Sequence, residues 1–498
     1  MLVHATLPAV TDVDPSPASP GPRGGAVKTG ATGSGPAFTA EELARITGGH
    51  LLVHSDRPIR GAAVDSRVIG PGMMFVALPG EHTDGHRFLE AAVAAGAAAL
   101  LVTRPPAAPT ALGDVTVVRV PDGLAALAAL ASAWRRRFDP LVVGVTGSIA
   151  KTSTKEAIAA VLGRRSRTLK NVGNQNNEIG LPLTVLGLGP EHGAAVLEMG
   201  MYTGGEIADL ARIARPSIGV VTAVQAVHLS RIGSLEAIEA AKGELLEALP
   251  ASGTAILNAD DVIVRRMGSR TAARPVTYGF AEDADVGAEA VTSAGLDGMR
   301  FTLRARGDRH PVTIPTLGRL SVHNGLAAAA VGLAAGMTLD QIGAGLAQGW
   351  SAPHRVTPMR VGDVTVIDDS YNASPGSVQA ALELLADLPG RRVAILGEML
   401  ELGEGHEAGH LAVGEAAGTV ADLLIVVGPG AFGIVEGAMT AGLPPARILH
   451  VDDATEALDA LRPRLRERDV VLVKGSRGIG LDAVVAGLRA DAGLEPYR

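Results

Sequence analysis

Apolar and polar positions alternate along this chain in two rhythms. Short runs of β-branched and aliphatic residues stop at small or polar residues, and Ala- and Leu-rich tracts with helical spacing follow most of them. The sharpest run is Leu141-Val-Val-Gly-Val145. It breaks into Thr146-Gly-Ser-Ile-Ala150, and Lys151, Thr152 and a helix-forming tract from Glu156 to Leu162 come next. The pattern predicts strand, small-residue loop and helix in that order. Backbone N–H groups of such a loop, the positive end of the helix and a Lys side chain make a cradle for phosphate. In that reading Gly147, Ser148, Lys151, Thr152 and Ser153 surround the phosphates of a nucleoside triphosphate, and the hydroxyl of Thr152 or Ser153 holds Mg²⁺. An ordinary turn between strand and helix has the same pattern. The residue before the Lys is Ala150 and not Gly, and where that position needs positive φ an Ala costs roughly 1 kcal/mol more than Gly.

Around this stretch the pattern divides the chain into four parts. Residues 1–37 are rich in Pro, Gly, Ser, Ala and Thr, carry no hydrophobic period and no basic segment ahead of an apolar one, and read as a disordered tail, not a signal peptide. Residues 38–120 read as a small α/β domain. It opens with a helix from Ala40 to Thr47 capped by Thr39, has strands at Met74–Leu78, Ala99–Thr103 and Val115–Val120, and an Ala-rich helix running to Ala98. Its polar groups include Asp65-Ser66-Arg67 and His86, which suit either ligand contacts or a solvated turn.

Residues 121–357 hold most of the unusual chemistry. Gly173-Asn-Gln-Asn176-Asn177-Glu-Ile-Gly180 is dense in carboxamides. Glu198 closes a buried-looking strand, where an open parallel sheet places ligand groups. A strand at Ile218–Val224 leads to His228. Ser234-Leu-Glu236 reads as capping a helix in capping-box style, with Lys242 on it and Glu244 and Glu247 on following turns, and on helical spacing alone Lys242 is half of a surface ion pair. Residues 270–315 read as an antiparallel excursion, with strands at Val276–Tyr278, Met299–Leu303 and Val312–Ile314. Long helices follow from Gly318 and from Leu339 to Leu346. Residues 358–498 alternate strands (Val364–Asp368, Arg392–Leu396, Leu423–Val427, Ile448–Val451, Val470–Val473) with helices, the pattern of a Rossmann-like parallel sheet. The expected fold is therefore α/β in three domains: a small α/β substrate domain, a central mostly parallel sheet of P-loop type with helices on both faces, and a C-terminal Rossmann-like domain.

Composition narrows this picture. The 498 residues carry a net charge of −8 and no Cys, which excludes disulfides and thiolate chemistry and gives no reason to expect nucleic acid as a partner. No apolar tract reaches the roughly 18 residues of a membrane span, so no membrane insertion is expected. The basic residues are almost all Arg; the lysines are Lys28, Lys151, Lys155, Lys170, Lys242 and Lys474. A chain that rarely uses Lys keeps it where guanidinium will not serve, which singles out Lys151, Lys242 and Lys474.

Taken together, Thr146-Gly-Ser-x-x-Lys-Thr152, Gly173-Asn-x-Asn-Asn-x-Ile-Gly180, Glu198-Met-Gly-Met201, His228, Ala241-Lys-Gly-Glu244, Leu257-Asn-Ala-Asp-Asp261, Asp368-Asp-Ser-Tyr-Asn-Ala-x-Pro375, Leu396-Gly-x-Met-x-Glu-Leu-Gly403 and Val473-Lys-Gly-Ser-Arg477 resemble the Mur ligases, and among them the MurF type. The likeness runs from about residue 38 to the end. Departures occur at Ala223-Val-Gln225 and Leu320-Ser321.

The resemblance implies ATP-dependent ligation of D-alanyl-D-alanine to UDP-N-acetylmuramoyl-tripeptide through an acyl phosphate, in the cytoplasm and by a monomer. It implies Lys151, Glu198, His228 and Lys242 as catalytic residues. Two Mg²⁺ sites are expected, one on Thr152 and Glu198 and one on His228 and a carbamylated Lys242. By the same likeness Asn258 and Asn324 contact adenine, Arg355 phosphate and Asp369 ribose, while Ser66, Arg67, Asn176 and Asn177 meet the substrate. Two other readings stay open: a related amide ligase acting on a carboxylate outside the cell wall, and a catalytically silent homologue that binds nucleotide.

Overall fold

The computed structural model describes residues 36–80, 83–225 and 233–494. The expected tail, apart from its last two residues, and His228 lie outside them. Three sheets follow one another along the chain. The first has five strands in the spatial order His50–Val53, Thr116–Arg119, Ala99–Val102, Met74–Val76, Ala62–Ala63. Thr39 caps the helix Ala40–Thr47 as its sequence requires, with Glu42 closing a reciprocal capping box. The expected Ala-rich helix is a shorter one, Leu89–Ala94, because Gly96 at φ 101° turns the chain into the strand that starts at Ala99.

The helix Gly123–Arg135 joins the first domain to the second. Trp134 packs on Phe38 at 4.8 Å between ring centroids and donates from its indole N–H to the Leu188 carbonyl at 2.9 Å. Arg135 is buried and donates to the Ala214 carbonyl at 2.9 Å. One aromatic helix thus belongs to both cores.

The middle sheet has nine strands. From one edge they are Arg167–Lys170, His192–Glu198, Leu141–Thr146, Ile218–Val221, Thr254–Asn258, Arg274–Gly279 and Val286–Ser293, all parallel, then Met299–Ala305 and Asp308–Ile314, antiparallel. The expected antiparallel excursion is thereby corrected. Its first strand pairs in parallel with Thr254–Asn258, so the region extends the main sheet, and of its strands only Met299–Ala305 runs against the others. The chain enters at Leu141–Thr146, goes to one side and returns to the other. The carboxyl end of this strand is therefore a topological switch point, where neighbouring connections diverge and leave a crevice.

The third sheet has the order Thr357–Val361, Val364–Asp368, Asp469–Lys474, Arg391–Gly397, Leu423–Val427, Ile448–Val451. Only the first strand is antiparallel. The last strand in sequence is inserted beside Val364–Asp368, with Asp368 opposite Val473. That register puts Asp369 and Lys474 side by side at the carboxyl ends. Among the described residues no helix is long and apolar enough to cross a membrane.

Candidate active site

The carboxyl ends of the second and third sheets face one cleft of about 1100 Å³. On the middle-domain wall, the buried strand Leu141–Thr146 gives way to the loop 147–150, and the helix Lys151–Leu162 begins. Gly147 has φ 152°, and a Cβ there would stand 1.9 Å from Thr222 Oγ1, so no larger residue fits. Ala150 takes φ 62° and carries the left-handed strain that the sequence raised as a condition. Thr222 holds the loop by donating to the Ile149 carbonyl at 2.6 Å, and Ser148 donates to the Gln225 carbonyl at 3.0 Å.

Lys151 closes this loop on itself, donating to the carbonyls of Gly147 at 2.7 Å and Ser148 at 3.3 Å. Burial pushes its pKa below the usual lysine value; Glu198 opposes the shift and Arg355 adds to it. Lys151 is thus a cation with carbonyls beside it and no carboxylate in ion-pair contact among the described residues. Thr152 is buried at the cleft edge and Ser153 lines it.

Glu198 ends the neighbouring strand, in register with Val145. Buried Asn171 brackets its backbone, accepting from Glu198 N–H at 2.9 Å and donating to its carbonyl at 2.9 Å. Asn176 donates to Oε1 at 2.8 Å. Oε2 is buried and has no hydrogen-bond partner among the described residues. A buried carboxylate oxygen without a hydrogen bond is costly, and a 4.0 Å contact with the Lys155 ammonium leaves this atom able to take a further cation, so with Thr152, which lines the same cleft, it fits the hard oxygen donor set of Mg²⁺. Asn177 has a structural part as well, its side-chain oxygen accepting from Gly180 N–H at 2.9 Å to start the next helix.

Lys242 departs most from expectation. It is not half of a surface pair but 3% exposed. Glu244 turns instead to the N–H groups of Gly205 and Ala208, and Glu247 pairs with Arg270. Ser234 does cap this helix by accepting from Ala237 N–H at 3.2 Å, but the residue at that position is Ala, so no capping box forms. Burial first, and then the charge of Lys151, hold the Lys242 pKa well below its ordinary value. Among the described residues no carboxylate pairs with it.

The opposite wall is built by the third domain and the linker before it. Arg355 stands between His354 at φ 58° and Val356 at φ 47°, both in the left-handed region, where a β-branched residue is a true outlier. Contacts around it enforce that geometry. His354 Nδ1 meets Asp368 at 2.8 Å, Tyr371 N–H donates to the His354 carbonyl at 3.2 Å, and Arg355 lies 4.4 Å over the Tyr371 ring. Strain of this kind costs about 1–3 kcal/mol per residue and persists where the surroundings dictate it, which fits a group that must point into a cleft. Asp369 also lines the cleft, with Lys474 donating to it at 2.6 Å.

Lys151, Thr152, Ser153, Ser148, Glu198, Asn176, Asn177, Arg355 and Asp369 therefore share one cleft. Other candidates lie elsewhere. Asn258 accepts from Asp260 N–H, donates to the Thr222 carbonyl and meets His323, and Asn324 accepts from Thr154; both are buried and do not line the cleft. Ser66 and Arg67 form a turn in the first domain, where Arg67 folds back on Asp65 at 2.6 Å. His86 is an internal tie, paired with Asp84 at 2.7 Å and accepting from Thr103 N–H at 3.0 Å.

Sequence reasoning passed over Lys155, which is fully buried one turn after Lys151, donates to the Asn171 carbonyl at 2.6 Å and lies 4.0 Å from Glu198 Oε2. The rarity of Lys was the signal that could have found it.

The chain matches family models described as Mur ligase family, catalytic domain, over residues 58–135, Mur ligase middle domain over 145–332, and Mur ligase, glutamate ligase domain, over 354–477. Its sequence is 40% identical to the UDP-N-acetylmuramoyl-tripeptide--D-alanyl-D-alanine ligase of Mycobacterium tuberculosis, covering 91% of this chain and 98% of that relative. It is 38% identical to the protein of the same name from Escherichia coli over the same shares. Among solved structures, MurF from Acinetobacter baumannii superposes with a TM-score of 0.82 at 29% identity, covering 92% of this chain and 99% of that one. MurF ligase from Thermotoga maritima in complex with ADP gives 0.76 at 28%, covering 87% and 98%.

Proposed function

The chain belongs to the Mur ligase family, and we propose that it joins D-alanyl-D-alanine to UDP-N-acetylmuramoyl-tripeptide with conversion of ATP to ADP and phosphate, a step of peptidoglycan precursor synthesis. One observation carries the reading within the structure: at the switch point a loop of phosphate-binding type, a carboxylate oxygen without a hydrogen bond and a lysine without a carboxylate in ion-pair contact, both judged among the described residues, converge on a cleft that the third domain lines from the other side.

An oxygen of the donor's terminal carboxylate attacks the γ-phosphorus of ATP, and ADP leaves. The dipeptide's amine then attacks the acyl phosphate carbon, the tetrahedral intermediate expels inorganic phosphate, and an amide remains. Lys151 and the loop N–H groups stabilise negative charge as the phosphoryl group moves. Arg355, carried by the strained linker, approaches the same phosphates from the other wall. Thr152 and Glu198 would hold one Mg²⁺, and Lys242 as a carbamate would join His228 at a second. Bound there, Mg²⁺ supplies charge neutralisation to the phosphoryl oxygens. Two features favour carbamylation: only a neutral amine adds CO₂, and Lys242 is buried with no carboxylate partner among the described residues.

We assign Asp369 to the ribose, Asn258 and Asn324 to the adenine side, Asn176 and Asn177 to substrate near the carboxylate, and the Ser66–Arg67 turn to the UDP-sugar part of the donor. Domains at 38–120, 121–357 and 358–498 divide these roles, and the enzyme acts as a cytoplasmic monomer without nucleic acid. Purified protein should release ADP only when both substrates are present, and the product mass should equal that of the pentapeptide conjugate. ADP release with some other amine or carboxylate, or none with any, would favour the two rival readings.

A further inference from the structure

Among the described residues five cations line the cleft: Lys151, Arg212, Arg355, Lys474 and Arg477. Arg212 pairs with Asp209, and Lys474 with Asp369. Lys151 sits on its own loop, and Arg355 is the residue assigned above to the phosphates. Arg477 is left. It follows the strand Asp469–Lys474 on the third-domain wall, makes no ion pair among the described residues, and is exposed to the cleft.

Yet Arg477 is held. Its Nη1 donates to the Tyr371 hydroxyl at 3.1 Å, and its guanidinium carbon lies 5.2 Å from the centre of that ring. The same ring carries Arg355 at 4.4 Å. One aromatic side chain thus fixes two guanidinium groups that line the same cleft. A surface Arg kept in a fixed orientation has lost much of its rotamer entropy before any ligand arrives, and its remaining N–H groups are a ready fork for a planar anion.

The proposed reaction brings one small carboxylate to this wall. The dipeptide is a zwitterion whose amine must face the acyl phosphate beside Lys151, so its carboxylate is directed away from the phosphates and toward the third domain. Left unpaired in the closed cleft, that carboxylate would be both desolvated and repelled by the phosphoryl group. We propose that Arg477, braced by Tyr371, is the recognition residue for the C-terminal carboxylate of the incoming dipeptide. The assignment rests on the ligase reading above and adds the residue that selects a free acid as amine substrate.

The test measures KM for D-alanyl-D-alanine and for its C-terminal amide, in wild type, Arg477→Ala, Arg477→Lys and Tyr371→Phe. Loss of a charge-assisted fork should raise the dipeptide KM by roughly 100-fold in Arg477→Ala, with KM for ATP and for the UDP-linked donor unchanged. Wild type should prefer acid over amide by a similar factor, and Arg477→Ala should not discriminate. Arg477→Lys keeps the charge without the fork and should fall between, as should Tyr371→Phe, which keeps the ring and loses the hydroxyl.

A dipeptide KM unchanged in Arg477→Ala, or a rise confined to the donor or ATP, would overturn the assignment while leaving the ligase reading intact. Persistence of the acid preference in that variant would do the same. A wild-type enzyme inert toward the dipeptide would overturn both.

Discussion

Two charged turns lie at opposite ends of the donor's proposed path, and they handle charge in contrary ways. At Asp65–Arg67 the guanidinium folds back on the carboxylate two residues earlier, both on an accessible surface, so the turn is electrostatically complete. At Gly147–Thr152 nothing is complete. Lys151 leans on loop carbonyls, Glu198 Oε2 has no hydrogen bond among the described residues and only a 4.0 Å contact with Lys155, Lys242 is buried without a counter-charge among the described residues, and Ala150 bears positive φ. Both turns read as ligand sites in sequence, yet only the second carries unpaid electrostatic and backbone strain. A ligand that relieves such strain gains affinity from it, whereas a ligand at the first turn must displace an internal partner.

Breaking the second turn should have the largest effect. Lys151→Ala should lower ligation by about 10³-fold or more, because the ammonium acts on charge that develops in the reaction. Thermal unfolding of the unliganded protein should stay nearly unchanged, since the lost hydrogen bonds to the loop offset the relief of a desolvated charge. Turnover near normal in an ADP-release assay would remove the phosphate-loop assignment.

Lys242→Ala should be inactive as well, and added short carboxylates should restore part of the activity by standing in for the carbamate. Mass spectrometry of native wild type should find the added CO₂. Stability sharpens the point. In protein freed of metal and CO₂, the Lys242 pKa lies below its unfolded value, so between the two the unfolded chain binds the extra proton. Lys242→Met should therefore raise the melting temperature at neutral pH, with the gain shrinking as pH climbs toward 10.5, the unperturbed lysine value. A gain independent of pH would contradict a buried amine as its source.

A smaller effect should come from the backbone. Ala150→Gly relieves φ 62° at the residue preceding the helix and should stabilise the protein by about 0.5–1 kcal/mol in urea unfolding. Arg67→Ala should be smallest for stability, with no measurable change in melting temperature, because an exposed pair two residues apart contributes little. Its proposed role shows instead as a higher KM for the UDP-linked donor with KM for ATP unaltered. Equal stability losses at the two turns would erase the contrast between them.

Much of this contrast was legible in the chain. The strand and helix flanking the loop, the strand end at Glu198, the capping of Ala40–Thr47 and the alternation of the third domain all follow from local periodicity and caps, which the tertiary structure leaves in force. The burial of Lys242 was not legible, because a charged helix with Glu244 and Glu247 close in sequence reads as a solvated surface, whereas those acids stand two and five residues on, off the face of Lys242, and turn to Gly205, Ala208 and Arg270. Lys155 escaped for a related reason: Asn171 follows the strand Arg167–Lys170 and Glu198 ends another strand, so both partners come from elements other than its own helix. The parallel pairing of Arg274–Gly279 depends on a neighbouring strand, and short apolar runs do not encode direction. Arg477 belonged to a recognised motif, but its bracing by Tyr371 joins residues 106 positions apart.

The account as a whole rests on transfer of a phosphoryl group to the donor's carboxylate inside this cleft. The most direct measurement uses donor labelled with ¹⁸O in its terminal carboxylate, ATP and D-alanyl-D-alanine, with mass analysis of the released phosphate. Attack of a carboxylate oxygen on the γ-phosphorus predicts one labelled oxygen in the inorganic phosphate for each ADP and each amide formed. Label in AMP, or amide formed with unlabelled phosphate, would contradict it.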